Sequence, residues 1–205
     1  KAVLELIRLV QSDAEVEDIE RAFKHEPVLA YMLLTLANSP AFVRTTPIGS
    51  IRHAVTLLGY RRLLKWLVLL MVVSAKQVKA LAQIHSAVVR GFYMENLAAA
   101  RGAKPTVQDE AFIVGVFSLL GAITGQSLPA LLQDLLLPAA ITEALLEQSG
   151  ALSPYLNLAV ASEGAAHTLA HQWQVLTKEL DLTPEAVNRA LLQALSAADA
   201  LLSVV

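Results

Sequence analysis

The sequence predicts an all-α protein. Of its 205 residues, 55% are hydrophobic and 17% are charged, and Leu (38 residues) and Ala (33 residues) are by far the most frequent types. Both are strong helix formers, whereas the β-branched and aromatic residues that favour strands are comparatively few. No run of alternating apolar and polar residues bounded by turns indicates a strand, and no repeat of fixed period is present. We therefore predict a compact multi-helix bundle without significant β-sheet.

Turn residues and helix caps divide the chain into about a dozen predicted helices. Pro27 and Pro184 suit the first turn of a helix, Ser50 suits the position before one, and Gly59 and Gly150 suit helix ends. A break is expected at 121–129. The predicted helices lie near residues 3–10, 15–24, 27–38, 51–58, 61–75, 78–101, 106–120, 130–136, 138–150, 155–162, 165–180 and 185–205.

The last predicted helix has one apolar face. Val187, Leu191, Leu195, Ala198 and Leu202 recur at spacings of three and four residues, which places them on one side of a helix. We expect this face to pack against the bundle rather than to form a dimerisation zipper.

A mean hydropathy of +0.53 raises the question of a membrane span. The uncharged stretch from Ala111 to Gln133 is long enough, because a span needs roughly 20 apolar residues. It is interrupted by Gly121, Gly125 and Pro129, however, and its continuously apolar part has the length of a buried core helix. We expect no membrane insertion and, since no signal-peptide pattern is visible, a cytoplasmic location. The lack of cysteine excludes disulfides, Cys-ligated metals and a thiol nucleophile.

Charge is distributed unevenly along the chain. Residues 27–94 contain no acid and eight bases, a charge of +8, whereas the remainder carries −10. Such a basic segment can attract a nucleotide, a nucleic acid or an acidic protein face. Alternatively, its bases pair with acids elsewhere, such as those of residues 13–26, and few aromatic residues accompany them. The candidate anion-binding residues of segment 44–65 are Arg44, Arg52, Arg61, Arg62 and Lys65.

One block of the chain combines several motifs. In order, they are an acidic helix at 17–20, His-Glu-Pro-Val-Leu at 25–29, Leu-Ala-Asn-Ser at 36–39, Pro-Ile-Gly-Ser-Ile at 47–51 and Leu-Leu-Gly at 57–59. With this combination, residues 16–73 resemble an HDOD domain, the HD-related output domain of bacterial signalling proteins. The variant is most similar to HDOD domains that follow an EAL domain.

The resemblance implies an HD-superfamily-like helical domain over residues 13–205. Residues 1–12 would then be the end of a linker from a missing N-terminal domain. The EAL domains of such proteins resemble cyclic di-GMP phosphodiesterases, so the implied function is a non-enzymatic output module that regulates or relays the state of that domain. Its partner would be another protein or its own upstream EAL-like domain, a homodimer is compatible with it, and no cofactor is implied.

The motif residues themselves have a structural interpretation. Asn38 and Ser39 can satisfy free groups at a helix end, Pro47 can fix the following turn, and Ala37 and Gly59 allow close backbone approach. We therefore interpret the motif as a set of fold determinants rather than a ligand site. The set comprises Leu36, Ala37, Asn38, Ser39, Pro47, Leu58 and Gly59.

The resemblance also implies that a catalytic metal centre has been lost. HD-superfamily hydrolases hold a divalent metal with a His, a His-Asp pair and a later Asp, and the metal activates water. The pair would fall on Ser118 and Leu119, where Leu cannot ligate a metal and neutral Ser is a poor ligand. The first His would fall near residues 94–96, where Glu95 is the only acid. We expect no enzymatic activity.

The histidines offer no obvious replacement. His167 and His171 stand four residues apart, a spacing that can bind a metal on one helix face, but no third ligand is evident nearby. We expect a surface or capping pair there.

Overall fold

The computed structural model describes residues 2–38, 48–73, 81–133, 135, 137–164 and 170–202. Within these ranges the regular secondary structure is entirely helical, which confirms the predicted fold class. The chain divides into two compact units. The first unit is Lys1–Ser74 together with Leu201–Val205, and the second unit is Ala75–Ala200. The predicted division into a linker and one domain remains a prediction.

The first unit has four described helices: α1 (Ala2–Gln11), α2 (Val16–Lys24), α3 (Pro27–Ala37) and α4 (Ile51–Val73). Both α1 and α2 pack on α4. Helix α1 buries Leu6 and Val10, and α2 buries Phe23, whose ring centroid lies 6.3 Å from that of Trp66 in α4. The core of this unit therefore forms where the amphipathic faces of α1 and α2 meet α4.

Asn38, which follows α3, is hydrogen-bonded to Ile48, which precedes α4. Its Nδ2 donates to the carbonyl of Leu34 at 2.8 Å and to that of Ile48 at 2.9 Å. Its Oδ1 accepts the Ile48 N–H at 2.7 Å, so the two residues exchange hydrogen bonds in both directions. Ser50 accepts the His53 N–H at 3.2 Å and caps α4, as predicted. Ser39 and Pro47 lie outside the described residues.

Gly59 bends α4. The predicted helix break at this position is present as a kink inside one element, with φ 69° and ψ 161° at Gly59. A Cβ added there would meet no atom within 4 Å. The predicted close backbone approach is therefore wrong for Gly59. The residue is required because its backbone conformation is essentially restricted to glycine. Its neighbour Leu58 and the motif residue Ala37 are buried.

The second unit contains the remaining helices. They are α5 (Leu81–Ala100), α6 (Pro105–Phe117), α7 (Leu120–Thr124), α8 (Leu128–Leu132), α9 (Ala139–Thr142), a π-helical turn (Glu143–Glu147), α10 (Ser153–Glu163), α11 (Ala170–Glu179) and α12 (Pro184–Leu202), whose last two residues belong to the first unit.

Helices α5 and α6 pack closely because two glycines face each other. A Cβ added to Gly115 would lie 2.7 Å from both the Arg90 carbonyl oxygen and the Gly91 Cα. One added to Gly91 would lie 2.6 Å from Cγ2 of Val116. Real Cβ contacts are longer than this, and the atoms around Gly115 belong to the backbone, so only glycine at 115 permits the observed approach. A Cβ at Gly91 would instead require the side chains of Val116 and Phe112 to move.

The apolar stretch that raised the membrane question belongs to this packed centre. Among the described residues, one helical stretch, Pro105–Thr124, is long and apolar enough to cross a membrane. Every residue from Ala111 to Phe117 within it is buried in the protein. This burial favours the predicted core helix over a membrane span.

The structure corrects three details of the predicted helices. The buried face of α12 is Val187, Ala190, Ala194 and Ala198, whereas Leu195, assigned to that face above, is 38% exposed. Three of the four buried residues of α12 are therefore alanines rather than leucines. The predicted break at 121–129 contains α7 and the start of α8. The helix predicted at 138–150 is a short α9 followed by the π-helical turn.

Candidate functional site

The second unit contains a buried charge, the guanidinium of Arg90 in α5. The Arg90 side chain is only 9% exposed. Its neighbours on the same helix, Ala87, Gly91 and Met94, are buried as well. An isolated charge in such surroundings would be strongly destabilising, so the guanidinium requires partners that replace its water.

Glu163 and Ser118 are those partners. Nε of Arg90 donates to Oε1 of Glu163 at 2.7 Å, and Nη2 donates to Oε2 at 2.5 Å, which is the bidentate geometry of a strong ion pair. The third arm, Nη1, donates to Oγ of Ser118 at 2.7 Å. Arg90 thus connects α5 with the end of α10 and with the residue that follows α6.

The glycine contact explains how Ser118 comes within reach. Gly115, whose Cα faces Gly91, lies one helical turn before Ser118. The Ser118 hydroxyl donates to the Gly115 carbonyl at 2.6 Å, so its proton is already committed and its oxygen faces Arg90 as an acceptor. This hydroxyl is therefore positioned as a structural acceptor and not as a nucleophile.

A second set of hydrogen bonds lies beside the first. Ser162 donates its hydroxyl to the Leu158 carbonyl at 2.8 Å, which leaves its oxygen to accept from Tyr93 at 3.0 Å and from Trp173 Nε1 at 3.2 Å. Burial raises the pKa of the Tyr93 phenol, which favours the protonated, donating form. We call Arg90, Tyr93, Ser118, Ser162, Glu163 and Trp173 the polar cluster.

Sequence reasoning placed Ser118 and Leu119 at a lost metal centre but missed Arg90 as a site residue. Both Ser118 and Leu119 are half-buried between α6 and α7. The signal that could have identified Arg90 is a lone arginine between Val88-Val89 and Gly91-Phe92 in a predicted helix. The match of Ser118 and Leu119 to a His-Asp pair remains a prediction.

The candidate anion-binding residues are distributed differently. Arg52 pairs with Glu17 and also contacts Glu20, with its Nη2 3.0 Å from Oε2 of that carboxylate. A hydrogen bond from Arg52 is the main cause that lowers the pKa of Glu17, whereas Lys24 is the main cause for Glu20. For Arg52, pairing with the acidic segment is therefore observed.

The other basic candidates lie on α4 or outside the described ranges. Arg61 and Arg62 are exposed and Lys65 is half-buried. None of these three is without an interaction partner. Arg44 belongs to the segment that the structure does not describe.

The histidines described by the structure do not gather into a metal site. Nε2 of His85 lies 3.0 Å from Oδ1 of Asp199, and His171 is exposed. His167, the other half of the predicted pair, is outside the described ranges. In the described part of the chain, no three His, Asp or Glu side chains form a group that could hold a metal ion.

Comparison with known proteins points to one family. The HDOD domain model matches residues 1–182, that is, both units up to the start of α12. Among curated proteins, the chain is similar to "Cyclic di-GMP phosphodiesterase CdgJ" from Vibrio cholerae, with 27% identity over 195 residues. The match covers 93% of this chain but 44% of that protein, so the chain spans less than half of this relative. No solved structure matches the chain.

Proposed function

Because the chain belongs to the HDOD domain family, we propose that it is a non-enzymatic output module of bacterial signal transduction. Its similarity to a protein named as a cyclic di-GMP phosphodiesterase supports a role in signalling by that nucleotide. The match covers less than half of that relative. In this proposal the phosphodiesterase activity in its name belongs to the part that this chain does not match. In this proposal the module regulates or relays the state of an upstream EAL-like domain.

The observation that carries the proposal is the hydrogen bonding of Ser118. At the position where the resemblance places the His-Asp pair, the hydroxyl donates to Gly115 and accepts from Arg90. A permanently charged guanidinium 2.7 Å from this oxygen repels a second cation at the same place. The local chemistry therefore favours a filled structural centre over an open metal site.

Partner binding is proposed to use the outer face of α12. Leu192 is 68% exposed and Leu195 is 38% exposed, and a spacing of three residues places them on the same side of the helix. A partner that covers both leucines removes their apolar surface from water, which favours association. The occupant in this proposal is the upstream EAL-like domain, because the chain matches less than half of the relative's length.

An activity assay tests the non-enzymatic part of the proposal. The full chain is incubated with Mg²⁺ or Mn²⁺ and with cyclic di-GMP or a generic phosphodiester, and we expect no turnover. Ser118→Ala and Glu95→Gln serve as paired variants. Metal-dependent hydrolysis that either substitution abolishes would contradict the proposal.

A binding assay tests the interaction surface. We expect Leu192→Asp to weaken capture of a separately added EAL domain, measured by sedimentation velocity of the mixture. Self-association that this substitution weakens, without capture of the EAL domain, would contradict the proposed occupant. Val160→Asp is the matched control, because Val160 is also an exposed apolar residue (45%) but lies on α10. Equal effects of the two substitutions would exclude α12 as the specific surface.

An alternative function is binding of a nucleotide or nucleic acid through segment 44–65. The exposure of Arg61 and Arg62, adjacent on α4, favours it. Such binding depends on phosphate contacts and weakens steeply with salt. Calorimetry with cyclic di-GMP and with DNA at low salt tests it, with Arg61→Gln/Arg62→Gln as the comparison. The lack of heat with both ligands would exclude it.

A further inference from the structure

The two members of the Arg90–Glu163 ion pair differ strongly in exposure. The Arg90 side chain is 9% exposed, whereas the Glu163 side chain is 42% exposed. The guanidinium is held inside the second unit by α5 and Ser118, but the carboxylate approaches it from the solvent side. An exchange of partner at this pair would therefore replace the carboxylate and leave Arg90 in place.

The local structure of α10 does not favour a carboxylate at the position of Glu163. Glu163 is the last residue of the helix, where the partial negative charge of the carbonyl groups repels an anion. Gly164 leaves the helix with φ −80° and ψ 165°, so no left-handed cap completes this end. The contact with Arg90 offsets this repulsion.

Release of Glu163 from Arg90 would change the hydrogen bonds of the neighbouring residue. Ser162, the preceding residue, accepts from Tyr93 in α5 and from the indole of Trp173 in α11. A displacement of the α10 end would change the environment of Trp173. The second tryptophan of the chain, Trp66, belongs to the first unit and provides an internal reference.

We propose that Arg90 is an oxyanion-binding site that Glu163 fills as an internal ligand. A carboxylate or phosphate group offered by a partner displaces Glu163, takes over the bidentate contact with Nε and Nη2, and frees the end of α10. Both oxyanions match the planar fork of a guanidinium. The contact between Glu163 and Arg90 then blocks the oxyanion site until a partner displaces the Glu163 carboxylate. This inference is independent of whether the unit catalyses a reaction.

The test uses the full chain labelled with 5-fluorotryptophan and titrated with inorganic phosphate and, separately, with acetate. The substitution Glu163→Gln keeps the shape of the side chain but removes its charge. Before any ligand is added, we expect the ¹⁹F signal of Trp173 in this variant to be shifted relative to the parent. Phosphate should bind this variant at least roughly tenfold more tightly than the parent, because one charged hydrogen-bonded contact corresponds to that factor. The signal of Trp66 should stay unchanged.

The matched control is the double variant Glu163→Gln/Arg90→Lys, which keeps a positive charge but lacks the fork. It should lose the gain in phosphate affinity. Equal phosphate affinity of the single and double variants would overturn the proposal. So would a Trp173 signal that does not change when phosphate or acetate is added. If Glu163→Gln does not fold, Glu163→Asp tests the same point, because the shorter carboxylate weakens the internal contact while keeping its charge. Preference for acetate indicates an acidic side chain as the natural source, and preference for phosphate indicates a phosphate group.

Discussion

Each unit of the molecule contains an arginine bound by glutamate, and the two arrangements differ in burial. In the first unit Arg52 is 50% exposed and lies between Glu17 and Glu20. In the second unit Arg90 is 9% exposed and is held by Glu163. Exposed ion pairs lose little water and are screened by salt, whereas a buried charge must always have a group of opposite charge beside it. The same chemistry is thus a surface contact in one unit and a structural connection in the other.

The two units also differ in the contacts that hold neighbouring helices together. In the first unit, the amide side chain of Asn38 after α3 is hydrogen-bonded to Ile48 before α4 at a part-buried position. The second unit is closed between α5 and α6 by direct contact of backbone atoms at Gly91 and Gly115. If this comparison is correct, substitutions in the second unit should cost more stability than equivalent ones in the first.

The largest effect is expected for Gly115→Ala. The added methyl group would meet backbone atoms of α5 at 2.7 Å, and backbone cannot move aside without separating the helices. We expect a loss of about 3 kcal/mol in the free energy of unfolding, measured by urea denaturation. Gly49→Ala is the matched control, because a Cβ there meets no atom within 4 Å. Similar losses for the two variants would contradict the close packing of α5 and α6.

The next effect is expected at the buried ion pair, where the two partners should behave unequally. Glu163→Gln leaves a buried guanidinium without its counter-charge, and we expect a loss of about 2 kcal/mol. Arg90→Met should cost less, about 1 kcal/mol, because the apolar side chain suits the site and the half-exposed Glu163 can return to water. Thermal unfolding of both variants measures the difference. A larger loss for Arg90→Met would reverse the assignment of the buried partner.

A smaller effect is expected for Asn38→Ala in the first unit. The substitution removes the hydrogen bonds to Leu34 and Ile48, but water can replace part of them at this position. We expect a loss of about 1 kcal/mol. Asn38→Asp is the informative control, because it keeps an acceptor for the Ile48 N–H and loses the donor. A loss as large as that of Gly115→Ala would remove the contrast between the units.

The smallest effect on stability is expected for Arg52→Ala, which is better detected by titration. Arg52 holds the pKa of Glu17 below the ordinary value of a glutamate, chiefly through a side-chain hydrogen bond. A carboxyl group with a lowered pKa stabilises the fold above its unfolded pKa, and this contribution is lost as the pH falls through the folded pKa. The variant should therefore raise the pKa of Glu17 toward its ordinary value, and its stability should converge with that of the parent in acid.

Nuclear magnetic resonance of the Glu17 carboxyl measures this shift. Lys24→Ala is the control, because Lys24 is the main cause of the lowered pKa at Glu20 and is not among the causes at Glu17. An unchanged Glu17 pKa in Arg52→Ala would show that the pair does not persist in solution.

The features predicted well from the sequence are those determined by neighbouring residues. Pro27 and Pro184 each begin a helix, Ser50 caps α4, and Gly59 interrupts it, because caps and special backbone angles act within one turn. The motif block also identified the family, which the match over residues 1–182 confirms. Local rules were sufficient for these features.

The features predicted poorly depend on residues distant in sequence. Arg90 and Glu163 are 73 residues apart, and no residue near Arg90 in the sequence indicates that Glu163 is its partner. The predicted face of α12 was correct for Val187 and Ala198 but wrong for Leu195, because the apolar pattern selects leucines whereas the structure buries Ala190 and Ala194. The apolar pattern of one helix does not show which side chains of a distant helix will contact it.

The contact between Gly91 and Gly115 also limits how the sequence can evolve. A methyl group at Gly91 would lie 2.6 Å from Cγ2 of Val116 and 3.1 Å from the ring of Phe112, so smaller side chains at 116 and 112 can make room for it. A methyl group at Gly115 would collide with backbone atoms, and no second substitution removes a backbone. In a library randomised at 91, 112, 115 and 116, covariation should appear between 91 and the pair 112 and 116, while 115 should remain glycine in every folded variant.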